Sequence, residues 1–346
     1  MKSASVFAPH ESVSMNRVLL PKNLDLTRLP AHPNGAAVHV LQGETMGTTW
    51  MLRAVTTSEE LARLQQGAQQ VLDQIVSQMS HWLPQSDLCA YNRANPGEWL
   101  TLPPEFFEVL AAAQMHAADS NGAFDSTIGP LVDLWGFGSA VRRDTPPSEQ
   151  EIETACARVG WQRLQLDEGN RRALQPGGVQ LDFSSIAKGY AVDQLARFLE
   201  RCGIDHWMVE VGGELRGQGC KPDGQPWWIE LERLSQKFPR TLLALHDIAI
   251  ASSGDYRRYF EFEGQRYAHT LDPRSGRPVT HGLAAVTVLH AECMQADALA
   301  TVLGVLPPNE AYNYAYHRDI AALFVLRDGE RFEERMSPAF EAMLDD

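Results

Sequence analysis

From Leu61 to Met79 the apolar residues Leu61, Leu64, Ala68, Val71, Leu72, Ile75 and Met79 recur at three- and four-residue steps. That period stacks them on one side of an α-helix, so a helix is expected over 59–80. A second is expected over 104–119, opening after Pro103 and stopping before Gly122, as start and stop signals dictate. Ser148, preceded by Pro146-Pro147 and followed three residues on by Glu151, has capping-box spacing and opens a third, short helix. A fourth follows Ala187 and ends at Gly203, a residue suited to the left-handed position past a helix end. Beyond it the pattern changes to short apolar and β-branched runs at 206–211, 226–232, 241–250, 257–263, 284–289 and 320–326, separated by turns such as Pro222-Asp223-Gly224.

Helices thus dominate the first 200 residues and strands the next 90, which favours an α+β fold over a regularly alternating, doubly wound one. Residues 1–40 carry Pro21, Pro30, Pro33 and Gly35 without periodicity and are expected to form an irregular N-terminal arm. No repeat, low-complexity tract or linker divides the remainder, so 41–346 are expected to form one compact unit. A chain of 346 residues is long enough to bury a large core.

Composition narrows the partners. Hydrophobic residues make up 44% and charged residues 21% of the chain, the mixture of an ordinary globular protein. The net charge of −14 repels phosphate backbones, and no Lys/Arg run with interleaved aromatics opposes it, so no nucleic-acid partner is expected. The five cysteines, Cys89, Cys156, Cys202, Cys220 and Cys293, are scattered without a C-x-x-C pair, which predicts buried, reduced thiols. The N-terminus has no continuous apolar region, and no run of 18 apolar residues occurs anywhere. No membrane insertion and a cytoplasmic location are therefore expected.

Gly136-Phe137-Gly138 and Gly217-Gln218-Gly219 lack the third glycine of a dinucleotide-binding loop, and there is no Walker A sequence. The run Ser184-Ser185-Ile186-Ala187-Lys188-Gly189 offers another way to hold an anion, because small residues before a helix leave its free N–H groups approachable. It equally suits a helix capped by Ser184 or Ser185. Asp297 and Thr301 stand four residues apart, so a helix would aim carboxylate and hydroxyl oxygens at one point, a hard pair suited to Mg²⁺. The same pair is compatible with a surface Asp and a Thr bonded back to its own helix. His269, one of 11 histidines, precedes the turn Asp272-Pro273-Arg274-Ser275-Gly276 and is singled out only by these neighbours. Asp125, Ser126 and Thr127 lie between Gly122 and Gly129-Pro130, in an expected loop of the kind that carries binding residues.

In this order, "GETMGTTW", "MSHWLPQSDL", "GAFDSTIGPLVDLWGFG", "LDFSSIAKGYAVD", "VEVGGELRGQG", "IASSGDYRRYF", "HTLDPRSGRP" and "ADALATVLGVL" closely resemble the ApbE family, the FAD:protein FMN transferases. The resemblance runs from about Gly43 to Leu306. It implies a T-fold-like α+β protein with largely antiparallel sheets flanked by helices. Such a protein binds FAD and Mg²⁺, cleaves the FAD pyrophosphate, attaches FMN through a phosphoester to a Thr or Ser of an acceptor protein, and releases AMP. Carried over residue by residue, the resemblance makes the Ala187 carbonyl, Asp297 and Thr301 the metal ligands. It makes Met46, Trp82, Ala123, Phe124, Asp125, Ser184, Tyr190 and Leu271 the lining of the FAD site, and His269 the histidine near the scissile phosphate. The chain departs from the pattern at Glu214, where Asp or Asn is more usual, and in showing no export signal or lipoprotein cysteine. Two other activities stay open at this point: FAD hydrolysis to FMN and AMP, and non-catalytic carriage of FAD.

Overall fold

Eight strands lie side by side in the order in which the chain makes them. They are β1 (Ala37–Thr45), β2 (Thr48–Thr56), β3 (Trp207–Val211), β4 (Glu214–Gln218), β5 (Ile248–Gly254), β6 (Leu283–His290), β7 (Ala321–Asp328) and β8 (Arg331–Met336). Each pairs with its chain neighbour antiparallel. The molecule is described here from a computed structural model covering residues 16–22, 24, 29–139, 142–256, 258–329 and 331–345.

Strand alternation gives this sheet two different faces. In β2, Trp50, Leu52 and Ala54 enter the main core, while Val55 and Met51 enter a second cluster on the opposite side. The main core is completed by the four long helices α1 (Leu61–Met79), α2 (Pro104–Asp119), α3 (Ala187–Arg201) and α4 (Cys293–Val305). The other face is covered by a three-stranded sheet in which Arg17–Leu19 and Trp227–Glu230 flank Thr241–Leu245, together with the C-terminal helix Pro338–Glu341. The result is a mixed α+β fold, largely antiparallel, with its four long helices on the face that carries the main core.

The expected helices form where periodicity places them, and the one opened by Ser148 spans Glu149–Cys156 with both halves of its capping box made. Three strand readings change. The run 241–250 is two strands, because the chain leaves the small sheet at Leu245 and joins the main one at Ile248, turning through Asp247 at φ 51°. The early hairpin β1–β2 has no counterpart in the expected pattern, which placed helices first. As the edge strand, β1 turns Val38 and Val40 outward, 37% and 53% exposed, so its apolar residues do not alternate cleanly with polar ones. Finally, within the expected N-terminal arm, Arg17–Leu19 pairs in parallel with Thr241–Leu245, and β1 begins already at Ala37. Residues 1–15, on which the reading of the N-terminus also rested, lie outside the described residues. Among the described residues no helix is long and apolar enough to cross a membrane.

Candidate active site

The starts of α3 and α4 are fastened to each other. Neither helix has a side-chain cap from its own N-cap residue, so each has orphan N–H groups to satisfy. Asp193, buried in α3, accepts from the Cys293 and Met294 N–H groups at 3.0 and 2.9 Å. Asp297, buried in α4, accepts from the Gly189 N–H at 3.0 Å through Oδ2. Arg216 pairs with Asp193 at 2.7 Å. Each helix thus caps the other with a carboxylate, which the positive end of a helix favours.

This crossing explains part of the small-residue run. An added Cβ on Gly189 would collide with the Cys293 carbonyl and stand 2.8 Å from the Asp297 Cβ. Glycine is needed there for close helix approach, whereas Ser184, Ser185, Ala187 and Lys188 line open space. Gly189→Ala is expected to destabilise the fold by about 1–3 kcal/mol, the usual cost of overpacking, and to displace Asp297. Urea unfolding should show a lower midpoint at unchanged slope.

That open space is a cavity of about 390 Å³, within the range of small-molecule sites. Its walls come from the end of α1 and the Ser80-His81-Trp82 turn, the 123–128 loop, the 182–188 segment, the end of β5, the 269–273 stretch and one face of α4. Met46 reaches it from the tight β1–β2 turn, where Met46 and Gly47 both take left-handed φ values of 50° and 70°, as a two-residue hairpin turn requires. Met46, Trp82, Ala123, Phe124, Asp125, Ser184, Leu271, His269, Ala187, Asp297 and Thr301 all line this one cavity.

Tyr190 does not. It is fully buried, and its hydroxyl donates to Glu108 on α2 at 2.9 Å. Three residues beyond Ala187, it lies on the side of α3 that meets α2. Ser184 and Ser185 do not cap α3 either: the N-cap is Ile186. Asp125 faces the cavity with both oxygens engaged. Oδ1 accepts from the Thr127 N–H and hydroxyl at 2.8 and 2.7 Å, and Oδ2 from the Trp161 N–H at 2.9 Å. Burial pushes its carboxyl up against the pull of those bonds, so its evident work is to shape the loop.

Asp297 is different. It is 6% exposed, so the alternative of a surface carboxylate does not hold. Oδ2 is taken by Gly189, and Oδ1 has no hydrogen bond among the described residues. Burial raises its carboxyl above the usual range, with Lys188 and the Gly189 N–H pulling the other way. Lys188 also pairs with the buried Glu214. Glu214 is pushed up to about 7 by burial, Lys188 opposing and Asp297 adding to the rise. For the Lys188 ammonium burial works downward, but the two carboxylates outweigh it and the net direction is up. One cation thus serves two buried carboxylates, leaving the group short of positive charge beside the cavity. Neither Lys188 nor Glu214 was assigned a role from sequence. Glu214 stood out only as a departure from the family pattern, and nothing local pairs residues 26 positions apart.

His269 follows the strand Gln265–Ala268. Its backbone N–H donates to the Arg258 carbonyl at 3.0 Å, and its Nδ1 lies 3.1 Å from the same oxygen. A carbonyl only accepts, so Nδ1 carries the proton and Nε2 is left with the lone pair. Phe137 packs edge-on against the ring at 6.3 Å.

The model of the ApbE family matches residues 46–324. The chain is 36% identical over 308 residues to the FAD:protein FMN transferase of Vibrio cholerae serotype O1, covering 88% of this chain and 92% of that one. It is 35% identical over 333 residues to that of Klebsiella pneumoniae, covering 94% and 95%. The crystal structure of the apo Pseudomonas stutzeri flavinyl transferase ApbE superposes with a TM-score of 0.84 at 39% identity, covering 89% of this chain and 97% of that one. The flavin transferase ApbE of Vibrio cholerae gives 0.83 at 35%, covering 89% and 99%.

Proposed function

The chain belongs to the ApbE family, and from that premise we propose that it transfers FMN from FAD to a Thr or Ser hydroxyl of an acceptor protein, releasing AMP. The observation that carries the site assignment is the convergence on one cavity of every residue named from the family motifs except Tyr190. Residues 41–346 form the transferase domain in this reading, with a T-fold-like architecture.

Met46, Trp82, Ala123, Phe124 and Leu271 supply apolar surface for FAD, while Asp125 holds the loop that carries two of them. Ser184 and the small-residue segment leading into α3 receive the pyrophosphate. The donors beside it fit Mg²⁺, being all hard oxygens: the unengaged Oδ1 of Asp297, the Thr301 hydroxyl and the Ala187 carbonyl. The buried, under-compensated carboxylates point the same way. When bound, Mg²⁺ would neutralise pyrophosphate charge and stabilise the departing AMP phosphate.

The remaining steps belong to the chain's own residues. His269 Nε2 accepts the proton of the incoming hydroxyl, whose oxygen forms a bond to the phosphorus of the FMN half. The bond from that phosphorus to the bridging oxygen breaks, and the oxygen leaves on AMP. Lys188, held by Glu214, adds positive charge where the phosphates pass. The cavity walls bring hydroxyl and phosphorus together in line, which lowers the entropic part of the barrier.

Co-expression with a protein carrying a Ser/Thr-Gly-Ala-Thr/Ser sequence should give a fluorescent band that survives denaturing electrophoresis and has gained the mass of FMN less water. If free FMN and AMP accumulate while several such acceptors stay unmodified, water is the true nucleophile and the protein is an FAD pyrophosphatase. If FAD remains intact with every divalent metal tried, the protein is a flavin carrier.

A further inference from the structure

At the other end of the β3–β4 hairpin from Lys188 and Glu214, three metal donors of a different chemistry converge. His206 immediately precedes β3 and Cys220 follows β4 by two residues, and antiparallel pairing sets these two ends beside each other. The 29–36 stretch brings His32 to the same place. Its ring lies 4.2 Å from that of His206, centroid to centroid, and its Nε2 is 3.7 Å from the Cys220 Sγ. One donor atom from each of the three residues lies within 4.8 Å of the others. Nitrogen and sulfur bound to one tetrahedral zinc are separated by roughly 3.5 Å, so the His32–Cys220 pair needs almost no closure. None of the three lines the cavity, and five strand residues of about 3.4 Å each put the two ends roughly 17 Å apart.

One hydrogen bond at His206 sets the tautomer that a metal at Nδ1 needs. His206 Nε2 lies 3.0 Å from the Pro30 carbonyl, which can only accept, so Nε2 carries the proton and Nδ1 the lone pair. Metal-bound histidines characteristically donate their second ring N–H to a backbone carbonyl in this way. Nδ1 accepts from the Cys220 backbone N–H at 3.1 Å, a bond that a metal at Nδ1 would replace. His32 Nδ1 is buried and has no hydrogen-bond partner among the described residues. Cys220 is buried, and a metal binds its sulfur only with loss of the thiol proton. Asp205 adjoins His206 and Asp223 stands three residues beyond Cys220 in the chain, and their charge would offset part of a dication's.

The geometry points to a second, structural metal site that takes zinc or a similarly thiophilic divalent ion. His32 Nε2, His206 Nδ1 and Cys220 Sγ are its protein ligands, and water completes the tetrahedron. Thiolate and imidazole select such ions over Mg²⁺, while the all-oxygen group around Asp297 does the reverse, so the two sites sort two metals. Occupancy would tie the 29–36 stretch to the end of the sheet just before β1, the strand whose far end carries Met46 into the cavity.

The test uses the full chain, stripped with chelator and titrated with Co²⁺ in excess Mg²⁺, which keeps the oxygen site filled. The wild type should develop a thiolate-to-cobalt charge-transfer absorption that saturates at one equivalent, is displaced by Zn²⁺ and fades as pH falls. Cys220→Ser should abolish the band, Cys202→Ser should leave it intact, and His32→Ala should weaken Co²⁺ binding at least tenfold. Zn²⁺ should raise the Tm of the wild type and not of His32→Ala. Absence of the band from the folded wild type overturns the proposal, as does a band that survives Cys220→Ser. The wild-type titration decides the matter even if a variant fails to fold.

Discussion

Asp297→Asn is expected to fold, to bind FAD and to lose metal-dependent turnover by roughly 10²- to 10⁴-fold, the several kcal/mol that a Lewis acid contributes at a phosphoryl centre. Asn is the informative replacement because it separates two functions of this carboxylate. Its amide oxygen can still accept from the Gly189 N–H that Asp297 Oδ2 now serves, so the start of α3 keeps its cap and the Tm should stay near wild type. What is lost is the only anionic side chain among the three proposed metal donors. Calorimetric titration with Mg²⁺ in the absence of FAD checks this apart from catalysis: wild-type binding should be measurable, and the variant's should not. Wild-type turnover with unchanged Mg²⁺ dependence in Asp297→Asn would remove Asp297 from the site.

His269→Ala is expected to lower the rate of FMN transfer by ~10²–10⁴-fold, the range for loss of a general base, while leaving FAD affinity within a few-fold. The reasoning rests on tautomer and position. The Arg258 carbonyl holds the proton on Nδ1, which leaves Nε2 as the acceptor, and the ring lines the same cavity as Asp297 and Thr301. A residue that only packs against FAD would show the opposite pattern when truncated, with weaker binding and little change in saturated rate. Single-turnover transfer at saturating FAD, compared with equilibrium FAD binding, separates the two. If binding falls and the saturated rate does not, His269 is a wall of the cavity and another group takes the proton.

Much of the helical framework was legible in the sequence because the information is local. The α1 stripe, the Pro at the head of α2 and the capping box at Ser148 are each written within a few residues, and the structure realises them there. The relation between Asp297 and Thr301 was legible for the same reason, since four residues on a helix return to one face. The motif order also named most of the residues that meet in the cavity, although nothing in their spacing says that segments near 46, 82, 125, 184, 269 and 297 would meet.

Tertiary structure decided what depended on partners far away in sequence. The exchange of caps between α3 and α4 joins residues 108 and 100 positions apart, and it alone shows that Gly189 is small for a neighbouring helix while Ser184 and Ala187 are small beside a cavity. Tyr190 shares the motif but does not line the cavity, because its side chain leaves α3 toward Glu108, 82 positions back. Edge strand β1 lacks the alternation that betrays a half-buried strand, since one flank is open and its valines face outward. Lys188 and Glu214, like His32, His206 and Cys220, became groups only when β3 and β4 paired and gathered side chains at either end of one hairpin. Local periodicity records the backbone's own repeat and therefore survives in one dimension. Charge compensation, close approach and ligand convergence are properties of neighbours in space, and folding is what supplies them.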